Sequence, residues 1–210
     1  NKLNELGIES KFIKGLRVTS KEIIKVVEEV LIEFNKEIVS SLEKRNCKSQ
    51  SLHSKENSII SVEKDSEELG FVGSPTDIDK SIIDKIIENK KVPVIAPLGL
   101  GDENQTYNIN ADTAAGSIAK KLKARRLIIM SDVEGVLDSN DKLIPEINSD
   151  SIKNLIENET ITGGMIPKIN NCLDVASNGV KGVVIIDGRK NHSLLFELLS
   201  DKGSGTLIRQ

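Results

Sequence analysis

The sequence predicts an α/β fold in which helices cover both faces of an open, mainly parallel sheet. From about residue 77 onwards, helical patterns alternate with short apolar runs, and this alternation is typical of parallel sheets. The apolar runs Lys91–Pro97 and Arg126–Val133 have the length and composition of buried strands. The chain has 210 residues, which is enough for two compact lobes.

The N-terminal half begins with a long amphipathic helix. Thr19 and Glu22 have the spacing of a capping box, in which each side chain bonds the backbone N–H of the other residue. The predicted core-facing stripe consists of Ile23, Val27, Val30, Phe34 and Ile38. Residues 46–75 are polar, with a weak strand pattern over Ser58–Val62, and a second helix is predicted over Asp77–Asn89.

The C-terminal half repeats the alternation of helix and strand. Its predicted elements are a helix at 111–124, a strand at 126–133, helices at 150–158 and 164–177, a strand at 180–187, a helix at 191–201 and a terminal strand at 205–210. Asn178 and Gly179 form a typical helix C-cap.

The composition excludes several classes of function. Aromatic residues make up 2% of the chain, the net charge is −3, and acidic and basic residues are interspersed without a basic block. Nucleic acid is therefore not the expected partner. No apolar run approaches the roughly 20 residues that span a bilayer, so no membrane partner is expected. Cys47 and Cys172 are isolated, which favours a reduced, cytoplasmic setting. His53 and His192 fit no metal motif, and no metal-binding residue is assigned.

Ligands of open α/β sheets bind at loops beyond the carboxyl ends of the strands. Four loops of this chain are unusually polar or rich in glycine: Gly15–Thr19, Asn108–Asp112, Ser131–Gly135 and Thr160–Lys168. These loops are the candidate sites.

The segment TITGGMIPK has the chemistry of a phosphate site. Two glycines before a helix allow close backbone approach, the helix start offers N–H groups to an anion, and Lys168 adds a mobile charge. The alternative is a glycine-rich turn followed by a surface lysine.

Two other loops carry single candidate side chains. Asp132 in SDVEGV suits a ribose or a magnesium-bound phosphate, or it is a turn residue that bonds its own backbone. Arg17 in GLRVT suits bidentate capture of a carboxylate, or it is a solvated surface charge.

The segment NINAD contains more polar side chains than a helix cap requires. One residue suffices to cap a helix, so Asn110 or Asp112 can do this and Asn108 is left for another role. An Asn side chain presents a donor and an acceptor together, which suits a bound amide or carboxylate.

Together these motifs resemble the amino-acid kinase family, and most closely its acetylglutamate kinases. GLRVT, YNINADTAAG, SDVEGV, ITGGMIPK, VVIIDG and GSGTLI occur in the order of that family and span nearly the whole chain. The resemblance implies a three-layer αβα sandwich. Residues 1–125 then form the lobe that binds N-acetyl-L-glutamate, and residues 126–210 form the lobe that binds ATP, with Mg²⁺ as part of the ATP substrate complex.

The resemblance also implies roles for individual residues. Lys168 and Asp112 are the expected catalytic residues, and Arg17, Asn108 and Asn110 the expected substrate ligands. The expected nucleotide-binding residues are Ser131, Asp132, Val133, Gly135, Val136, Thr160, Ile161, Thr162, Gly164 and Lys168.

The chain departs from the family pattern at two places. The family's opening strand with a second catalytic lysine, and the glycine-rich loop after it, are expected upstream of Asn1, so the 210 residues alone are expected to be inactive. Leu52–Asn57 replaces a turn that usually contains glycine.

The C-terminal stretch resembles that of arginine-inhibited members of the family. An effector arginine is expected at His192, Asp201, Gly203 and Gly205, and the alternative is a helix C-cap that turns into an edge strand. A homo-oligomer is expected, either a dimer or, for the full-length protein, a hexamer. The other functions considered are an acetylaminoadipate kinase and a non-catalytic, arginine-sensing domain of an acetylglutamate synthase, and Lys168 argues against the latter.

Overall fold

The computed structural model describes residues 2–13 and 15–210 and has the predicted α/β class. The chain divides into two compact units, Asn1–Ala114 and Ala115–Gln210. This division falls inside the helix Ala111–Leu122, whereas the sequence placed the lobe boundary after that helix.

The first unit contains helices α1 (Lys2–Glu5), α2 (Lys21–Glu43) and α3 (Lys80–Glu88) and strands β1 (Phe12–Ile13), β2 (Leu16–Arg17), β3 (Ser49–Leu52), β4 (Ile60–Lys64), β5 (Gly73–Ile78), β6 (Val92–Ile95), β7 (Leu98–Leu100) and β8 (Thr106–Asn108). Strands β1 and β2 pair antiparallel, and β3 pairs parallel with β6. The four-stranded sheet has the order β5-β4-β7-β8, in which only the β4–β7 pair is parallel.

Helix α2 begins one residue later than the predicted capping box requires. Ser20 is the N-cap, and its hydroxyl accepts a hydrogen bond from Ile23 N at 3.2 Å. Thr19 is buried instead, and its hydroxyl donates to Arg17 O at 2.9 Å. The prediction of a box between Thr19 and Glu22 is therefore wrong.

The predicted apolar stripe of α2 is only partly the face that packs inward. Ile23 is buried, but Val30, Phe34 and Ile38 are 38%, 57% and 36% exposed. Asn35 is buried, because its amide donates to Val94 O at 2.9 Å and accepts from the Ser51 hydroxyl at 2.5 Å. The contact face of α2 is thus rotated away from the stripe that the sequence suggested.

The second unit contains the remainder of α4 (Ala111–Leu122), α5 (Ser149–Glu157), α6 (Met165–Ser177), α7 (Ser193–Leu199) and strands β9 (Leu127–Ser131), β10 (Glu146–Asn148), β11 (Val183–Asp187) and β12 (Gly205–Arg209). Its sheet has the order β10-β12-β11-β9. The β10–β12 and β11–β9 pairs are parallel, and β11–β12 is antiparallel. Gly179 follows the C-cap Asn178 at φ +97°, as the sequence predicted.

An aliphatic cluster forms the core of the second unit. Strand β11 is buried along its whole length, between β9 and β12. Cys172 and Ile169 of α6 lie in the same cluster with no exposed surface. Gly205 begins β12 so close to β11 that a Cβ atom on it would lie 1.9 Å from Ile185 O. Only glycine fits there.

Within the part of the chain that the structure describes, no helix is both long enough and apolar enough to cross a bilayer. Cys47 is partly buried, and Cys172 is buried in the core of the second unit.

Candidate functional site

A pocket of about 240 Å³ in the first unit brings two of the predicted site residues together. Its wall consists of Lys2, Leu3, Arg17, Val26, Val27, Val30, Leu31 and Asn108. Helix α2 and Leu3 of α1 supply the apolar part, and Lys2, Arg17 and Asn108 supply an ammonium, a guanidinium and a primary amide. A pocket with an apolar wall and a few convergent polar groups is the usual form of a small-molecule site.

Arg17 ends β2 and is held by two contacts from the preceding segment. Its guanidinium lies 4.7 Å from the centroid of the Phe12 ring, and it donates a hydrogen bond to the Ser10 hydroxyl. Gly15 has a φ of +82°. An arginine held in this way is pre-oriented to form a bidentate pair with a carboxylate.

Asn108 ends β8, and its backbone is fixed by neighbouring elements. Its N–H donates to Phe71 O at 3.0 Å, and its Cα pairs with that of Leu98 in β7. Because side chains alternate along a strand, Asn108 and Thr106 lie on the same face of β8. The Asn108 side chain is only partly buried and forms part of the pocket wall.

Asn110 caps helix α4. Its side-chain oxygen accepts hydrogen bonds from the backbone N–H groups of Asp112 at 3.0 Å and Thr113 at 3.1 Å. Its capping role resolves the choice that the sequence left between Asn110 and Asp112, while its binding of substrate stays a prediction. Asp112 lies in the first turn of α4, where the helix dipole favours a carboxylate.

In the second unit, two loops meet at the carboxyl edge of the parallel β9–β11 pair. Ser131 at the end of β9 is in register with Asp187 at the end of β11. The Gly188 N–H donates to Ser131 O at 2.8 Å. The Lys190 ammonium lies 2.7 Å from the Glu134 carboxylate. This edge is the place where open α/β sheets bind ligands.

The loop after β11 carries an arginine that the sequence did not single out. Arg189 donates from Nε and Nη2 to the two carboxylate oxygens of Asp187, at 2.9 and 3.0 Å. Hydrogen bonds from the side chain and backbone of Arg189 lower the pKa of Asp187 to about 2. The same pairing raises the pKa of Arg189. The signal was an Asp-Gly-Arg sequence at the end of a buried strand.

The loop Ser131–Val136 is fastened from beneath. Val136 is buried, and its N–H donates to the Thr206 hydroxyl at 2.9 Å, which donates to Ile144 O at 2.7 Å. Gly135 has a φ of +140°, and a Cβ atom on it would lie 2.5 Å from the Thr206 hydroxyl. Asp132 is exposed, whereas Ser131 and Val133 are half-buried.

The loop before α6 presents its backbone to open space. Thr160 is fixed by hydrogen bonds from its N–H and hydroxyl to the Asn158 side chain. Ile161 is buried in the core cluster, whereas Thr162, Gly163 and Gly164 are exposed. A Cβ atom on either glycine would meet nothing within 4 Å. Lys168 lies in the first turn of α6 and is partly exposed.

Two of the predicted nucleotide contacts are therefore core positions. Val136 and Ile161 are 2% and 1% exposed and belong to the same cluster. Their side chains shape the loops from below, and a contact with the nucleotide through their backbone stays a prediction.

The predicted effector residues lie before and after α7, in the segment that connects β11 to β12. His192 precedes α7 at φ +64°, Asp201 is exposed in a turn, and Gly203 has a φ of +66°. The buried Glu197 holds this connection, because its carboxylate accepts from Ser204 N at 2.9 Å and from Arg126 at 3.1 Å. Gly205 lies within the sheet, opposite Ile186. Strand β12 is an internal strand of that sheet, not the edge strand considered from the sequence.

Comparison with known proteins identifies one family. The model of the amino acid kinase family matches residues 1–187. The chain is 69% identical to the acetylglutamate kinase of Pelagibacter ubique over 210 residues, which cover 100% of this chain and 73% of that protein. It is 45% identical to the acetylglutamate kinase of Caldanaerobacter subterraneus, covering 98% of this chain and 71% of that protein.

Solved structures agree in fold. A crystal structure of smu.665 from Streptococcus mutans matches 99% of this chain and 80% of that chain, with a TM-score of 0.85 and 33% identity. The N-acetylglutamate synthase of Neisseria gonorrhoeae, complexed with coenzyme A and N-acetyl-glutamate, matches 99% of this chain and 48% of that chain. Its TM-score is 0.88 at 20% identity, so this likeness concerns the fold alone.

Proposed function

Because this chain belongs to the amino acid kinase family, we propose that it acts as a kinase that phosphorylates the side-chain carboxylate of N-acetyl-L-glutamate. ATP is the phosphoryl donor and N-acetylglutamyl 5-phosphate the product, in arginine biosynthesis. The observation that carries the proposal is the pocket in which Arg17 and Asn108 face one ligand-sized space.

The pocket of the first unit suits an acylated dicarboxylic amino acid. The Arg17 guanidinium matches a carboxylate, and the Asn108 amide can both donate to and accept from the acetamido group. The apolar side chains of Val27 and Leu31 provide contact for the methylenes and the acetyl methyl group. A free α-amino group would find no carboxylate partner among the residues of this wall.

The exposed loops of the second unit suit a nucleotide. Thr162, Gly163 and Gly164 offer backbone N–H groups at the start of α6, where the helix dipole favours phosphate. Ser131 and Asp132 offer polar groups at the carboxyl edge of the sheet, and Arg189 lies on the adjoining loop. We assign MgATP as the substrate complex, in which Mg²⁺ would neutralise part of the phosphate charge.

We propose catalytic roles for Lys168 and Asp112. In phosphoryl transfer a carboxylate oxygen of the acceptor attacks the γ-phosphorus while the bond to the β-phosphate oxygen breaks, and negative charge spreads over the equatorial oxygens. The Lys168 ammonium stabilises that charge. Asp112 supplies the counter-charge that orients a catalytic lysine.

The experiment is acyl phosphate trapping with hydroxylamine, using the full-length protein, ATP and magnesium. N-acetylglutamate is offered beside N-acetylaminoadipate and glutamate. We expect hydroxamate from N-acetylglutamate at a kcat/KM well above that of the other two. Preference for N-acetylaminoadipate would reassign the acceptor. No hydroxamate from any acceptor, together with binding of L-arginine, would instead support a sensing domain.

We further propose that the protein is a cytoplasmic homo-oligomer and that L-arginine inhibits it. The exposed side chains of Phe34 and Ile38, which are spaced at one helical turn on α2 and lie outside the pocket wall, support a surface covered by another chain. Light scattering of the full-length protein and of Phe34→Glu tests the oligomer, which should lose mass in the variant. Titration of the kinase activity with arginine tests the effector.

A further inference from the structure

A partly buried carboxylate lies beside the pocket of the first unit and joins three elements. We call Glu28, Ser54, Lys55 and Thr106 the Glu28 cluster. The hydroxyls of Ser54 and Thr106 both donate to Oε1 of Glu28, at 2.6 and 2.8 Å. The Lys55 ammonium lies 3.3 Å from Oε2. Helix α2 is thereby joined to the turn after β3 and to β8.

The carboxylate is the charged form under ordinary conditions. Its side chain is 14% exposed, and burial by itself acts to raise the pKa. The hydrogen bonds from Ser54 and Thr106 and the charge of Lys55 outweigh burial, so the pKa of Glu28 is lowered. Hydrogen bonds to an ionised acceptor are stronger than those between neutral groups.

The contact to Thr106 bears directly on the pocket because of strand geometry. Thr106 and Asn108 are separated by one residue of β8 and share a face of the strand. Glu28 follows Val27 on α2, and Val27 and Leu31 line the pocket together with Asn108. The same helix and the same face of β8 therefore form both the Glu28–Thr106 bond and the pocket wall.

We propose that Glu28 is a positioning residue for the acylamino acid: through Thr106 it holds β8 against α2 and sets the separation between the Asn108 amide and the apolar wall. This inference rests on the proposed function of the pocket. Ser54 is the other hydroxyl donor of the cluster, and its hydrogen bond joins the turn after β3, rather than β8, to the same carboxylate oxygen.

Two matched variants separate positioning from a merely structural role. Thr106→Val removes the hydroxyl that reaches β8 and keeps the shape, whereas Ser54→Ala removes the other hydroxyl from the same carboxylate oxygen. We expect Thr106→Val to raise KM for N-acetylglutamate about tenfold, with KM for ATP changed less than about twofold. Ser54→Ala should leave both KM values within about twofold of wild type.

Substitutions at Glu28 itself provide the rescue. Glu28→Gln retains an oxygen that can accept both hydroxyls, and the exposed Lys55 can turn to solvent, so its KM for N-acetylglutamate should stay near wild type. Glu28→Ala should match Thr106→Val in KM for N-acetylglutamate, and the double variant should be no worse than Glu28→Ala, because both variants remove the same Glu28–Thr106 bond. Thermal melts of every variant establish that it folds.

The outcomes are distinguishable from failure of the proposed function. If wild-type protein forms no acyl phosphate, the function is wrong, and binding of N-acetylglutamate by calorimetry then decides the inference alone. If wild-type protein is active but Thr106→Val and Ser54→Ala change KM equally or not at all, Glu28 is only a structural contact and the inference is overturned.

Discussion

The pocket of the first unit and the loops of the second unit are held in opposite ways. In the pocket, side chains hold side chains: Ser10 and Phe12 hold Arg17, and Glu28 holds Thr106. In the loops, the backbone is held over an aliphatic core, with Gly135 packed against Thr206 and Ile161 buried.

This difference predicts how each region responds to mutation. Truncating a polar side chain of the pocket removes an interaction with one ligand and leaves the aliphatic core intact, so the effect should appear in one KM. Adding an atom to a packed backbone position of the loops forces the core to move, so the effect should appear in stability.

Lys168 is an expected exception to this rule, because it is a side chain of the loop region whose loss should lower kcat rather than stability. Lys168→Ala should lower kcat at least about 100-fold, since it removes a charge that stabilises the transition state, while KM values change much less. Steady-state kinetics of the full-length protein with both substrates measures this. Lys181→Ala, at an exposed lysine of the same unit, is the control and should leave kcat and both KM values unchanged. A rise in KM alone for Lys168→Ala would make Lys168 a ground-state ligand.

Gly135 and Gly164 compare a packed with an unpacked backbone position in the loops of the second unit. Gly135→Ala should destabilise the protein by about 2–3 kcal/mol, because its φ of +140° and the close Thr206 hydroxyl both oppose a Cβ atom. Gly164→Ala has a φ of −67° and open space, so its stability should be unchanged within about 0.5 kcal/mol. Denaturant unfolding compares the two. Equal losses of stability would show that packing at Gly135 is not the cause.

Arg17 tests the pocket side of the contrast. Arg17→Ala should raise KM for N-acetylglutamate by about 10- to 30-fold, as expected for losing a bidentate carboxylate contact, with little change in KM for ATP. Arg17→Lys should lie between, because it keeps charge but loses the planar fork. Lys11→Ala, at a neighbouring exposed lysine, controls for net charge. Equal weakening of both substrates would remove Arg17 from the carboxylate site.

Local sequence predicted the elements whose signals are local. The cap at Gly179, the buried strand β11 and the redundancy of Asn108 in NINAD all follow from residues within a few positions of one another. The α/β class followed from the alternation of these elements. The predicted capping box was placed one residue too early, because Ser20 is the N-cap of α2. The N–H of Thr19 instead donates a hydrogen bond to Leu69 O.

The orientation of α2 could not be predicted, because its deciding partners lie far along the chain. Glu28 bonds Thr106 and Asn35 bonds Val94, which turns two polar residues inward where periodicity placed them outside. A single sequence does not reveal such long-range pairs. The Asp187–Arg189 pair, in contrast, spans two residues and was available from the sequence.

The turn that follows β3 contains a histidine with an unusual setting. His53 is 4% exposed, and neither ring nitrogen has a hydrogen-bond partner among the described residues. Burial lowers the pKa of His53; the charges of Lys36 and Lys55 act in the same direction, and those of Glu56 and Glu28 oppose them. The Glu56 carboxylate lies 4.0 Å from Nε2.

The smallest predicted effect is a pH dependence of stability that comes from this histidine. The folded pKa lies below the ordinary value of about 6.5, so between the two values the unfolded chain binds more protons and stability falls as pH decreases through that window. Above it the contribution is constant. Urea unfolding of wild type and His53→Leu from pH 7.5 to 5 should show this loss only in wild type. His192→Asn is the control, because it removes the second histidine without touching the turn. If His192→Asn abolished the dependence and His53→Leu did not, the buried ring would not be its source.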